Sequence, residues 1–91
     1  VVAYADPNGY FKVFYEGEQT VMDNYYPDKI RASYNSVVYT NKANTLRMFS
    51  KGMVYDITTM SILDMRLDYD VLQYKVGLNA FKMFHNGHYY N

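Results

Sequence analysis

Residues 4–17 read YADPNGYFKVFYEG, and the pattern of this segment recurs twice further along the chain. The recurrences cover residues 39–52 and 74–87, each displaced by 35 residues from the one before. A fixed period of this size is the signature of a repeat protein, in which each copy supplies one supersecondary unit. A tyrosine, a phenylalanine and a closing glycine recur unchanged: Tyr4, Tyr39 and Tyr74; Phe14, Phe49 and Phe84; Gly17, Gly52 and Gly87.

Each copy reads as a series of short strands joined by tight turns. Residues 6–9 (DPNG) carry turn chemistry, because proline presets φ and glycine accepts a positive φ. Glu16-Gly17 is a two-residue hairpin turn, which requires a positive φ at its glycine. A break at residues 26–29 precedes the last strand of the copy. The predicted strands of the first copy are residues 1–6, 10–16, 18–24 and 30–34.

The repeat predicts an all-β chain of antiparallel four-stranded meanders. We expect one repeat region over residues 1–91, with copies at 1–35 and 36–70 and a partial copy at 71–91. In the second strand, Phe11 and Val13 lie on one face and Phe14 on the other, so both faces should be covered by neighbouring sheets. The residues predicted to be buried on this basis are Tyr4, Phe11, Phe14, Tyr39, Leu46, Phe49, Tyr74, Phe81 and Phe84.

The repeated motif resembles a known type of blade. A four-stranded meander with the pattern Y-x-D-x-x-G-x-φ-K-φ-F-x-x-G is similar to β-propeller-type blade repeats of exported bacterial proteins, whose copies read roughly AYxDxxGxFKVFYxG. The resemblance implies sheets stacked face to face and an exported protein, and it carries over no catalytic residue. Propellers close with several blades, so about two and a half copies predict a piece of a larger array. The alternative fold is a small up-and-down β-barrel.

Charge and composition exclude several function classes. Nine Lys and Arg residues balance nine Asp and Glu residues, whereas nucleic-acid binding and attachment to an anionic membrane surface both need clustered positive charge. The chain has no cysteine, which excludes a disulfide framework and a thiolate metal site. No apolar run approaches the length of a membrane span. We expect neither nucleic acid nor a membrane span among its partners.

His85 and His88, the two histidines of the chain, could together contribute two ligands to a metal site. They flank Asn86-Gly87, a predicted hairpin turn, so their side chains should lie opposite each other on one face. A zinc site needs three or four ligands, and the equivalent positions of the other copies carry no histidine. We therefore predict a solvated hairpin tip and no metal.

No catalytic constellation emerges from the sequence, so we expect no enzyme activity and no cofactor. The sequence favours a non-enzymatic structural or protein-interaction module of a larger propeller-like protein. Its partner would be another protein or further copies of the repeat. The alternative function is a glycan-binding, lectin-like module that uses surface tyrosines. For either function, the predicted binding residues are the tyrosines outside the repeated core pattern: Tyr25, Tyr26, Tyr89 and Tyr90.

Overall fold

The chain forms eleven short β-strands in the computed structural model, which describes residues 1–78 and 80–90. Two positions of the third sequence copy, Asn79 and Asn91, lie outside the described residues. The described part of the chain contains no helix, as the sequence predicts. The strands are β1 (Val2–Ala5), β2 (Phe11–Tyr15), β3 (Glu18–Asp23), β4 (Ile30–Ala32), β5 (Ser36–Thr40), β6 (Leu46–Ser50), β7 (Met53–Thr58), β8 (Asp64–Asp68), β9 (Val71–Lys75), β10 (Phe81–His85) and β11 (His88–Tyr90).

The strands pair into three antiparallel sheets, each a meander of consecutive strands. The first sheet contains β1 to β3, the second β4 to β7 and the third β8 to β11. The first strands of the second and third sheets, β4 and β8, contact each other. Because the described strands form three separate sheets, the alternative of one closed barrel is wrong, and the expectation of propeller-like blades is confirmed.

The sheets are out of phase with the sequence copies by one strand. Residues 30–34 were expected to end the first copy's meander, but β4 (Ile30–Ala32) pairs with β5 and begins the second sheet. The cause lies in the break that precedes it, where Pro27 removes a backbone donor and is itself buried. The chain crosses to the next sheet at this break.

The three hairpin turns have the predicted backbone conformation. Gly17, Gly52 and Gly87 have φ values of 82°, 89° and 81°. The residue before each glycine is also positive, at 51° to 53°, which is the type I′ arrangement that matches the twist of the flanking strands. The expectation of positive φ at all three glycines is confirmed.

The second sheet is covered on both faces. Its upstream face, which bears Val37, Tyr39 and Phe49, packs on the first sheet in one buried cluster. Its downstream face, which bears Val38, Leu46 and Met48, packs on the third sheet in another. We use "upstream face" and "downstream face" for the equivalent faces of all three sheets.

The outer faces of the first and third sheets correct the predicted core. Phe14 and Phe81 were expected to be buried but are 42% and 67% exposed, and Tyr4 is only half-buried. Phe14 lies on the upstream face of the first sheet and Phe81 on the downstream face of the third, where the described chain supplies no further sheet. The six other predicted core residues are buried: Phe11, Tyr39, Leu46, Phe49, Tyr74 and Phe84.

Candidate functional site

The first inter-sheet contact is apolar at its centre and ionic at its edge. Phe11 and Val13 of the first sheet pack against Tyr39 and Phe49 of the second. The rings of Phe11 and Tyr39 meet edge to face, with centroids 4.8 Å apart. Such pairs stabilise beyond the area that they bury, typically by about 0.5–1.5 kcal/mol. The contact therefore holds the two sheets in a defined orientation.

An inter-sheet ion network, formed by Asp23, Tyr39, Arg47 and Asp56, borders this contact. The Tyr39 hydroxyl donates to Asp23 Oδ2 at 2.5 Å, and Arg47 Nη1 donates to the same oxygen at 3.2 Å. Arg47 Nε also donates to Asp56 Oδ1 at 2.7 Å. Burial, together with the neighbouring Asp23 carboxylate, raises the pKa of the Tyr39 phenol well above its ordinary value. Asp23 belongs to the first sheet, so the network ties the two sheets together.

The second inter-sheet contact repeats the first in the same direction. The downstream face of the second sheet, with Leu46 and Met48, packs on Leu72 and Phe84 of the third sheet's upstream face. Tyr55 adds an edge-to-face contact with Phe84, with ring centroids 4.9 Å apart. Downstream face meets upstream face in both contacts, so the stacking is head to tail.

Charged side chains join the hairpin tips at the rim of this second contact. Lys51 Nζ lies 2.5 Å from Asp70 Oδ2 and donates to Asn86 Oδ1 at 3.2 Å. His85 Nε2 lies 3.4 Å from Asp70 Oδ1. The hydrogen bond from Lys51 lowers the pKa of the Asp70 carboxyl, which favours its charged form. This group therefore links the second and third sheets.

Two sheet faces present apolar side chains with no covering sheet in the described chain. On the upstream face of the first sheet, Val2, Phe14 and Val21 are exposed. On the downstream face of the third sheet, Phe81 and Met83 are exposed, and the Lys75 ammonium lies 5.2 Å from the Phe81 ring centroid. Large exposed apolar patches mark interaction sites on soluble proteins. These two faces are the candidate interaction surface.

The structure divides the four predicted binding tyrosines between two places. Tyr25 and Tyr26 lie between β3 and β4, where the Tyr25 hydroxyl accepts the Lys42 N–H at 2.8 Å and the Tyr26 ring packs edge-on against Phe11. Tyr89 and Tyr90 lie on β11, and Tyr89 packs on Phe84. The four residues do not belong to one contiguous element, and their binding role stays a prediction.

Tyr90 is the member of this set that lies on the candidate interaction surface. It pairs with Met83 across β10 and β11, so it shares the downstream face of the third sheet, and it is exposed. Its equivalent one repeat earlier is Tyr55, which packs on the phenylalanine of the following sheet. Tyr90 therefore occupies on the third sheet the position that Tyr55 occupies on the second.

The histidine pair has the predicted hairpin geometry. His85 and His88 are directly opposite in the register of β10 and β11, and His85 also approaches Asp70. Within residues 1–78 and 80–90, no group of three or more His, Cys, Asp or Glu side chains is arranged to hold a metal ion. The absence of metal binding at this tip stays a prediction.

The inter-sheet ion network escapes sequence reasoning for a specific reason. Arg47 is in phase with Lys12 and Lys82, so the repeated cation is visible in the sequence. Its partner Asp23 is not repeated, because Thr58 stands one period later. Lys12 instead pairs with Asp6 at 3.0 Å within its own sheet. The repeat therefore predicts the position of the basic residue but not the carboxylate that pairs with it.

One comparison with known proteins identifies the family. A family model described as a 10-bladed beta propeller domain matches residues 1–90 of the chain. No curated protein and no solved structure shows a significant match. The described residues contain no helix long and apolar enough to span a membrane. The family match and the head-to-tail stacking of meander sheets agree, and the chain belongs to the 10-bladed β-propeller domain family.

Proposed function

We propose that this propeller module has a non-enzymatic structural and protein-interaction role, exercised through its two outer sheet faces. Its partners are further blades of the same kind, either from the same polypeptide or from another copy. The observation that carries the proposal is the repetition of one head-to-tail contact between successive sheets. A head-to-tail contact leaves one unused face at each end, and a ring or an open array completes it.

The residues on the two outer faces match those already used inside the chain. Phe14 is the equivalent of Phe49 and Phe84 in the repeat. The phenyl rings of Phe49 and Phe84 are buried against the preceding sheet. On the opposite outer face, Tyr90 stands where Tyr55 contacts Phe84. A blade docked on either outer face would therefore bring a tyrosine of the Tyr90 type against a phenylalanine of the Phe14 type.

The described ion pairs support a structural role for the charged residues. Arg47 bonds to Asp23 and Asp56, and Lys51 bonds to Asp70. Arg47 of the second sheet thus pairs with Asp23 of the first sheet, and Lys51 of the second sheet pairs with Asp70 of the third. Both ion pairs hold neighbouring sheets together. Export of the protein, which the resemblance to exported bacterial repeats implies, belongs to the same proposal.

Cysteine cross-linking tests the proposed contact. Because the chain has no cysteine, Phe14→Cys and Tyr90→Cys can be made in separate chains, mixed and treated with a short bis-maleimide. We expect a cross-linked dimer between the two variants, because the proposal brings these two positions together. A single chain carrying Tyr55→Cys and Phe84→Cys is the internal standard for the reach of the linker.

An exposed turn residue supplies the matched control. Asn8 is exposed on the turn between β1 and β2 and is not part of a strand of either outer face, so Asn8→Cys should cross-link to Tyr90→Cys only at the rate of random collision. Cross-linking of Phe14→Cys to Tyr90→Cys at no more than this control rate would refute the proposed contact.

A further inference from the structure

A cavity of about 190 Å³ lies between the first and second sheets at the level of the hairpin tips. It is separate from the outer sheet faces and from the four tyrosines predicted as a binding surface. The side chains that line it and matter for its chemistry are Tyr15, Glu16, Glu18, Thr20, Phe49 and Lys51. Its volume suits one ring-sized group rather than a large ligand.

The next inter-sheet groove shows why this cavity is open. Thr20 occupies the position that Tyr55 occupies one repeat later. In that later groove, the Tyr55 ring packs on Phe84 and its Cε1 atom lies 3.8 Å from where a Cβ on Gly87 would be. The smaller threonine leaves the corresponding space of the first groove unfilled.

The aromatic wall of the cavity comes from a different strand. Tyr15 packs edge-on against Phe49, with ring centroids 5.8 Å apart, and Ser50 is its equivalent in the later groove. The pair Tyr15 and Thr20 in the first groove thus replaces the pair Ser50 and Tyr55 in the second. Both grooves have one tyrosine on the phenylalanine. The small hydroxyl-bearing residue of the second groove, Ser50, is buried and bonded to Ser36, whereas Thr20 of the first groove lines the cavity.

The polar groups around the cavity supply acceptors for a ligand rich in hydroxyls. Glu16 and Glu18 are exposed and form no ion pair within the described residues. Carboxylates accept hydrogen bonds from hydroxyls, and charge-assisted bonds of this kind are strong. Lys51 Nζ at the same wall is already held by Asp70 and Asn86.

We propose that this cavity binds a single sugar ring. The apolar face of the ring would pack against Tyr15, while Glu16, Glu18 and Thr20 would accept hydrogen bonds from its hydroxyls. The site uses none of the residues on the outer sheet faces, so sugar binding can be tested independently of the association of blades.

Titration of the ¹⁵N-labelled chain with simple methyl glycosides tests this site by NMR. The probes are the methyl glycosides of glucose, galactose and N-acetylglucosamine, each added to millimolar concentration. We expect at least one of them to shift the backbone amides of Glu18, Thr20 and Gly52 in a saturable way. The failure of all three to shift these amides would overturn the proposal.

The later groove supplies the matched variant. Tyr15→Ser combined with Thr20→Tyr rebuilds the arrangement of Ser50 and Tyr55, which the same fold already accommodates. This variant should keep the tyrosine-on-phenylalanine contact and its dispersed spectrum but lose the glycoside-dependent shifts. Shifts that persist in the double variant would overturn the assignment, as would saturable binding of N-acetyl-lysine methylamide in place of the glycosides.

Discussion

Tyr55 of the second sheet packs edge-on against Phe84 of the third, with ring centroids 4.9 Å apart and ring planes at 62°. The period of the chain places an equivalent phenylalanine, Phe14, on the upstream face of the first sheet and an equivalent tyrosine, Tyr90, on the downstream face of the third. Tyr55 and Phe84 contact each other inside the chain, whereas Phe14 and Tyr90 lie on the outer faces. The stacking of the sheets inside this chain is therefore directional.

The first prediction compares two equivalent phenylalanines in different surroundings. Phe49 is 2% exposed between two sheets, so Phe49→Ala should reduce the free energy of unfolding by about 3–5 kcal/mol. Phe14→Ala, one repeat earlier, should cost well under half as much, because its ring is already partly in water. Urea unfolding of both variants measures the difference. Equal losses would contradict the packing described for the central sheet.

The second prediction concerns the hairpin turns. Gly52 has a φ of 89°, a conformation that strains a β-branched side chain, so Gly52→Val should destabilise the chain by about 1–3 kcal/mol. Glu16 has a φ of 51° in the equivalent earlier turn, and Glu16→Asn should be neutral or slightly stabilising, because asparagine tolerates this region. Thermal unfolding should show a lower midpoint for Gly52→Val and an unchanged or higher midpoint for Glu16→Asn. A lower midpoint for Glu16→Asn would contradict the account of the turns.

The third prediction concerns the two carboxylates that hold Arg47. Asp23→Ala should reduce the free energy of unfolding by about 1–3 kcal/mol, because it removes one charge-assisted hydrogen bond from the buried Tyr39 hydroxyl and another from Arg47. The Asp56 side chain is 69% exposed, so its pair with Arg47 is of the surface type and Asp56→Ala should cost under about 1 kcal/mol. Denaturant unfolding of the two variants measures both losses in the free energy of unfolding. A larger loss from Asp56→Ala would reverse the importance assigned to the two pairs.

The fourth prediction is a dependence on pH. The pKa of Asp70 is lowered in the folded chain by the hydrogen bond from Lys51, so its contribution to stability is present above its unfolded-state pKa. That contribution is lost as pH falls below about 4 and through the lowered folded-state pKa. Asp70→Asn should therefore be less stable than the unmodified chain near neutral pH, and the two should converge in acid. A constant difference from neutral pH down to pH 2 would contradict this role.

The period of the sequence predicted the elements of the fold well. Strands, hairpin turns and the alternation of buried residues depend on neighbours along the chain, so a repeat of Gly17 as Gly52 and Gly87 specifies them locally. The exposure of Phe14 and Phe81 depends on whether another sheet covers them, and a repeat motif carries no such information. The assignment of β4 to the second sheet likewise depends on where the chain crosses at Pro27.

The finer chemistry of the inter-sheet grooves was not predictable from the repeat. Asp23 and Thr20 both stand where the next repeat has a different residue, Thr58 and Tyr55, and it is these departures that form the ion network and the cavity. A departure from a repeat indicates that a site differs, but its partner is known only when the sheets are brought together. Tyr90 is one of four tyrosines that the sequence predicts to bind a partner, and only the packing of Tyr55 on Phe84 shows what a tyrosine at this position of the repeat contacts inside the chain.

Sedimentation equilibrium of the 91-residue chain measures whether the two outer faces bind further blades, because head-to-tail stacking through them must produce association. We expect an average mass above that of the monomer that rises with concentration in the micromolar range, and a return to the monomer when Phe14→Lys places a charge on the upstream face. A chain that stays monomeric throughout this range and unfolds cooperatively would contradict the claim that its outer faces bind further blades.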